Sequence, residues 1–219
     1  MAFKTILFDL DGTLTDPKVG ITTCCQYGLR AVGVDVPDLK ELEQFIGPPL
    51  IPAFQEVYGI TEDQARLALE KYRERFTDIG IYENELLPGV PQMLEALKAA
   101  GKVVATASSK PEPFVKRILE HFSIDRYFDE IAGSTMDEKH AGKAEVVEDV
   151  LLRLHIPEEE KDSVIMVGDR KHDVEGAAAH GIRTIAVTFG YGSVEELTTV
   201  GAWKLAHTME ELTALLLEA

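Results

Sequence analysis

Two apolar runs in this chain each stop on an aspartate, and that limits the possible folds more than any other feature. Ile6-Leu7-Phe8 runs into Asp9-Leu10-Asp11-Gly12-Thr13, and Val164-Ile165-Met166-Val167 runs through Gly168 into Asp169. Short apolar runs closed by turn residues are expected to be strands buried on both faces. A carboxylate at the end of such a strand is costly to desolvate, so its position calls for a chemical reason. Between and beyond these runs the hydrophobic period alternates. Strand patterns cover 3–8, 103–107, 128–132, 164–167 and 183–187. Helical patterns carry Met93, Leu94 and Leu97 up to Gly101, then Phe114 to Phe122, 143–155, 174–180 with Gly181 as a stop, and a last segment from Met209. Strands alternating with helices predict an α/β protein, a doubly wound, Rossmann-like parallel sheet covered on both faces.

One stretch breaks the alternation. Val19, Cys24, Tyr27, Leu29 and Val32 predict a helix ending near Gly33. Leu39, Leu42, Phe45 and Ile46 predict a second, stopped by Gly47-Pro48-Pro49. Leu50, Phe54 and Val57 predict a third, ending at Tyr58-Gly59, and Thr61-Glu62-Asp63-Gln64 opens a fourth through Leu67, Tyr72 and Phe76. The expected organisation is an α/β core from 1–15 and 87–219, with a small all-helical cap, 16–86, inserted after the first strand. Asp9, Ser108 and Asp169 then fall at the carboxyl ends of strands, where open α/β sheets bind ligands. The insert is expected above that edge as a lid.

Composition narrows the partners. A net charge of −16 over 219 residues argues against binding a nucleic-acid backbone or an anionic membrane. An anionic substrate therefore needs local positive charge, which a divalent cation and a lysine can supply. The cysteines, Cys24 and Cys25, are adjacent and poorly placed to bridge each other, which points to a reduced, cytoplasmic setting. No apolar run is long enough to cross a bilayer, the N-terminus does not read as a signal peptide, and the six histidines have no zinc spacing.

The chemistry is carried by residues in a fixed order. Asp9 and Asp11, two residues apart, can serve as nucleophile and proton shuttle beside a cation, with Gly12 and Thr13 offering a sharp turn, an amide and a hydroxyl. Val103 to Ala107 leads into Ser108, Ser109 and Lys110. Ser108, with Thr106 and Ser109 as alternatives, is the candidate hydroxyl at this strand end. Lys143 precedes an amphipathic helix, with Lys110 as the rival cation. Asp169 and Asp173 close the series.

Nucleophile, hydroxyl, lysine and paired acids, in this order and spacing, resemble the haloacid dehalogenase superfamily. The resemblance spans the whole chain, insert included, and is nearest to phosphoglycolate-phosphatase-like and 5′-nucleotidase-like members. It implies Mg²⁺-dependent hydrolysis of a small phosphorylated metabolite through an aspartyl-phosphate on Asp9, by a monomer or homodimer. It implies that Asp11 moves protons while its carbonyl joins Asp9, Asp169 and Asp173 around the metal, and that Ser108 and Lys143 hold the phosphoryl group. It further implies a substrate-facing cap loop at Gly47 and Pro48, and substrate contacts from Thr13, Ser109 and Lys110. Other classes fit less well. A receiver-type signalling domain lacks the insert, and a P-loop enzyme needs a glycine-lysine signature that Gly101-Lys102 and Gly142-Lys143 do not complete. A dehalogenase needs neither Asp11 nor metal, whereas a sugar-phosphate mutase shares every motif and is separated by its products.

Overall fold

A computed structural model describes residues 3–136 and 142–218. The chain divides into two compact units, Met1–Thr15 with Leu86–Ala219 and Asp16–Glu85. The strands are β1 (Thr5–Phe8), β2 (Thr15–Asp16), β3 (Glu85–Leu86), β4 (Val103–Pro111), β5 (Glu130–Ser134), β6 (Val164–Gly168), β7 (Arg183–Val187) and β8 (Lys204–Ala206). Six of them form one parallel sheet in the order β5-β4-β1-β6-β7-β8, while β2 and β3 pair with each other at the two chain crossings.

The apolar runs form the middle of the sheet. All of β1 and β6 is buried, as expected for strands covered on both faces. Phe8 is in register with Thr106 on one side and Val167 on the other, so β1, β4 and β6 deliver their next residues to one edge. The chain leaves β1 in opposite directions, towards β4 and β5 and towards β6, β7 and β8. That reversal of strand order opens a crevice at the carboxyl end of β1.

The helical unit contains α1 (Lys18–Ala31), α2 (Leu50–Tyr58) and α3 (Glu62–Phe76). At Gly28 the backbone of α1 approaches α3 so closely that a methyl group would fall on the carbonyl of Ala68. Thr61 and Gln64 cap α3 reciprocally: the Thr61 amide donates to Gln64 Oε1 at 3.0 Å and the Gln64 amide to Thr61 Oγ1 at 3.3 Å. The helix expected over 39–46 is instead a 3₁₀ segment, Leu39–Phe45. Gly47-Pro48-Pro49 leaves too few residues there for a longer α-helix. Cys24 and Cys25 are both buried and form no disulfide.

The core helices are α4 (Val90–Ala99), α5 (Glu112–His121), α6 (Lys143–Arg153), α7 (Lys171–Ala178), α8 (Val194–Thr199) and α9 (Met209–Glu218). Helix α6 sets Val146, Val147, Val150 and Leu151 into a cluster with Leu7, Ala105, Met166 and Ala177, which anchors the helix whose first residue is Lys143. Several elements differ from expectation. Helix α7 begins at Lys171 rather than Val174, because Asp173 in its first turn accepts the Arg170 amide at 3.0 Å and caps the helix from inside. Strand β5 begins at Glu130, two residues late, after a 3₁₀ turn through Asp125–Tyr127. Strand β8 and helix α8 were not expected: three residues starting with an exposed lysine have no readable period, yet β8 pairs with β7. Trp203 stands edge-on to Phe3 with ring centroids 5.5 Å apart.

Candidate active site

Asp9 is the first residue beyond β1, and its amide donates to Val167 O at 2.9 Å, which carries the sheet register into the site. The chain then turns within four residues. Leu10 O accepts from the amides of Leu14 and Thr15 at 2.9 and 3.0 Å, and Gly12 takes a positive φ of 84°. This turn buries Asp9, Asp11 and Thr13 together. Asp169 follows β6 directly and is fully buried, and Asp173 lies one helical turn into α7, also buried. Lys143, first residue of α6, extends its buried ammonium between these segments.

The ion pairs divide the carboxylates between two lysines. Lys143 Nζ donates to Asp9 Oδ1 and to Ala107 O, each at 2.8 Å, and lies 2.8 Å from Asp173 Oδ1. Lys110 Nζ lies 2.6 Å from Asp11 Oδ2. Asp169 has neither lysine: its Oδ2 accepts the Tyr191 amide at 2.7 Å, and its Oδ1 has no hydrogen-bond partner among the described residues. Arg170 adds a favourable field at Asp169, but its own guanidinium is bonded to Glu196 at 3.1 Å.

Four buried carboxylates thus face two ammonium groups. The protonation equilibria reflect that surplus. Burial, with the charges of Asp173 and Asp9 behind it, pushes the Asp169 carboxyl well above the usual range. Burial also raises Asp173 although Lys143 opposes it, and raises Asp11 although Lys110 opposes it. Burial alone would lower the Lys143 ammonium, yet Asp173 and Asp9 outweigh it and the group is held more basic than an ordinary lysine.

Such a surplus suits a divalent cation. Asp9, Asp169 and Asp173 each present an oxygen within 4.8 Å of the others, a spacing that one ion can bridge, and Mg²⁺ takes oxygen ligands. The free Oδ1 of Asp169 supports the fit, because a buried carboxylate oxygen without a donor needs a positive partner. The Asp11 side chain is engaged by Lys110 instead.

The other expected site residues have definite places. Ser108 is buried at the end of the regular part of β4, where its Oγ accepts the Lys110 amide at 3.3 Å, and Ser109 beside it is half-buried. Thr106 is committed elsewhere: its hydroxyl donates to Ala132 O at 2.8 Å and accepts from Ala132 N at 2.9 Å. Thr13 Oγ1 is buried and has no partner among the described residues. Gly47, with φ of 106°, and Pro48 lie half-buried in the helical unit between the 3₁₀ segment and α2. His172 is half-buried in the first turn of α7, and burial lowers its pKa. Sequence reasoning missed the loop Gly190-Tyr191-Gly192, which follows β7 and supplies the amide to Asp169. Two glycines around an aromatic just past a predicted strand were the available signal.

Known proteins share this architecture. A 5′-nucleotidase of Pseudomonas aeruginosa is 43% identical over 215 residues, covering 98% of this chain and 95% of that protein. The tyrosine-protein kinase PtkA of Mycobacterium tuberculosis is 37% identical over 212 residues, covering 95% of this chain and 71% of that protein. The crystal structure of a predicted phosphatase from Clostridium acetobutylicum superposes with a TM-score of 0.96 at 40% identity, over the whole of both chains. A family model described as haloacid dehalogenase-like hydrolase matches residues 6–187, and the chain belongs to that family.

Proposed function

We propose that this protein is a Mg²⁺-dependent phosphatase that hydrolyses a small phosphate monoester, of nucleotide or phosphoglycolate type, through an aspartyl-phosphate on Asp9. The observation that carries the proposal is the surplus of buried carboxylates around Asp9 at the strand-order reversal. A bound cation, held by Asp9, Asp169 and Asp173, would neutralise the phosphoryl oxygens and screen them from these acids.

The chain's own residues supply the remaining roles. Lys143, bonded to Asp9 Oδ1, fixes the nucleophile's rotamer and leaves Oδ2 to attack phosphorus. The same ammonium offsets charge on the phosphoryl group as it transfers. Ser108 and Thr13 offer hydroxyls to the remaining phosphoryl oxygens. Asp11, with a raised carboxyl pKa, delivers a proton to the departing oxygen and, once deprotonated, takes one from the water that cleaves the aspartyl-phosphate. Lys110 holds Asp11 Oδ2, so that Oδ1 is the oxygen available for that exchange. The helical unit, with Gly47 and Pro48, is assigned to substrate choice.

The similarity to a protein named 5′-nucleotidase favours a nucleoside monophosphate as first substrate to try. Similarity to a protein named tyrosine kinase makes phosphoryl transfer to a second acceptor the competing outcome. The test is release of inorganic phosphate from nucleoside monophosphates, phosphoglycolate and sugar phosphates, with and without Mg²⁺. The expected result is metal-dependent release on at least one ester and none in excess chelator. Isomerised product without phosphate would show a mutase instead, and full hydrolysis in chelator would remove the cation from the mechanism.

A further inference from the structure

We propose that Gly190-Tyr191-Gly192 is a positioning element that sets the protein's affinity for its divalent cation by holding Asp169 in one orientation. This rests on the cation assignment above.

Asp169 is the acid of the cluster that no lysine holds, so something else must fix its rotamer. The Tyr191 amide donates to Oδ2 at 2.7 Å and consumes that oxygen, while Oδ1 is left bare. The division matters chemically. A carboxylate free to rotate would point its charge away from the buried carboxylates of Asp9 and Asp173, whose oxygens lie within 4.8 Å. One fixed hydrogen bond to Oδ2 prevents that escape and keeps Oδ1 available as a ligand. Ligands held by a second layer of hydrogen bonds bind metal more tightly than unsupported ones.

The loop comes close enough only because it lacks side chains. A methyl group at Gly190 would fall on Cβ and Oδ2 of Asp169 and lie 2.5 Å from Gly12 O. One at Gly192 would fall on the Asp169 carbonyl oxygen, and one at Gly12 would lie 2.7 Å from Asp169 Cγ and 2.9 Å from Tyr191 Cδ2. Two backbone segments therefore pack against Asp169: the turn after β1 and the loop after β7. Glycine is the residue that permits such approach. The loop is placed by β7, which pairs with β6 through Val167 with Ile185 and Gly168 with Ala186, so the sheet register carries directly to the hydrogen bond.

Titration calorimetry of Mg²⁺ into metal-free protein tests the proposal without any turnover. Gly190→Ala is expected to weaken Mg²⁺ binding by about tenfold or more. Gly181→Ala is the control: its methyl meets nothing within 4 Å, and its φ of 74° makes the change cost stability away from the site. It should lower the melting temperature while leaving Mg²⁺ affinity at the wild-type value. A folded Gly190→Ala protein with wild-type affinity overturns the proposal. Amide NMR of the wild-type protein gives a second reading that needs no variant. The Tyr191 amide resonance is expected to move with Mg²⁺ and saturate at the calorimetric Kd, and a resonance that stays still overturns the proposal even if Gly190→Ala fails to fold. Wild-type protein that binds neither Mg²⁺ nor Mn²⁺ overturns the cation assignment itself, a result distinct from normal wild-type binding with no effect of the loop.

Discussion

Two charge clusters, one in each unit of this protein, are built in opposite ways. In the helical unit, Arg75 meets Glu83 in a two-pronged pair, Nη1 to Oε2 at 2.6 Å and Nη2 to Oε1 at 2.8 Å, with one cation for one anion. The hydrogen bonds from Arg75 hold the Glu83 carboxyl below its usual range despite partial burial. In the core unit, Asp11, Asp169 and Asp173 are all raised, burial being the largest cause each time. A balanced pair favours the charged folded state. A surplus penalises it, and a fold that retains the penalty holds a site ready for a missing positive partner. The difference separates carboxylates that build architecture from those that build a site, although all are acidic side chains within reach of basic ones.

Substitutions can break this contrast at its strongest point first. Asp9→Asn keeps the shape of the side chain but removes the proposed nucleophile, so turnover should fall by at least roughly a thousandfold, about 4 kcal/mol of barrier. Stopped assays on a folded preparation measure it, and substantial residual turnover would assign the attack to water or another residue. Asp11→Asn should act unequally. An alkoxide leaving group needs the proton that Asp11 is proposed to supply, whereas a nitrophenolate hardly does. Alkyl phosphates should therefore slow strongly and nitrophenyl phosphate weakly. With nitrophenyl phosphate, cleavage of the aspartyl-phosphate should become limiting and give a burst near one equivalent of nitrophenol. Equal slowing of both esters without a burst would remove Asp11 from the proton-transfer role.

The sequence displayed the parts of this arrangement that depend on local pattern. The apolar runs before Asp9 and Asp169 predicted two central strands, and the Thr61-to-Gln64 spacing predicted the capped start of α3. What it did not display depends on three-dimensional pairing. That Lys110 goes to Asp11 while Lys143 goes to Asp9 and Asp173 follows from strand register, since both lysines sit at strand or helix ends with no periodic signal. Thr106 and Ser108 are alike in sequence, and only the strand pairing shows that the Thr106 hydroxyl both donates to and accepts from Ala132 of β5. The loop at Tyr191 acts through a backbone amide, a group that every residue but proline carries, so no side-chain motif announces it. Strand β8 is stabilised by its neighbour β7 rather than by its own composition.

The smallest expected effects give the most direct test of the contrast, because their signs should be opposite. Asp169→Asn removes one charge from the surplus, so in chelator it should stabilise the fold near pH 7, on the order of 1 to 2 kcal/mol, while abolishing tight cation binding. Glu83→Gln removes half of a balanced pair and should destabilise the fold by about 1 kcal/mol or less, since the pair is partly exposed. Their pH dependences follow from linkage. Asp169 has a raised folded pKa, so its penalty is complete above that value, shrinks as pH falls below it and is gone only below the unfolded carboxyl value of about 3.9, and the gain from Asp169→Asn should fade over that range. Glu83 has a lowered folded pKa, so its contribution is complete above the unfolded carboxyl value of about 4.3 and is lost as pH falls towards the folded one. The cost of Glu83→Gln should also vanish in acid, but from the opposite side of zero. Urea unfolding of metal-free wild-type and variant proteins across that range measures both. If Asp169→Asn destabilises the metal-free protein at neutral pH, the surplus is already compensated within the fold, and the core acids are not held in readiness for a cation.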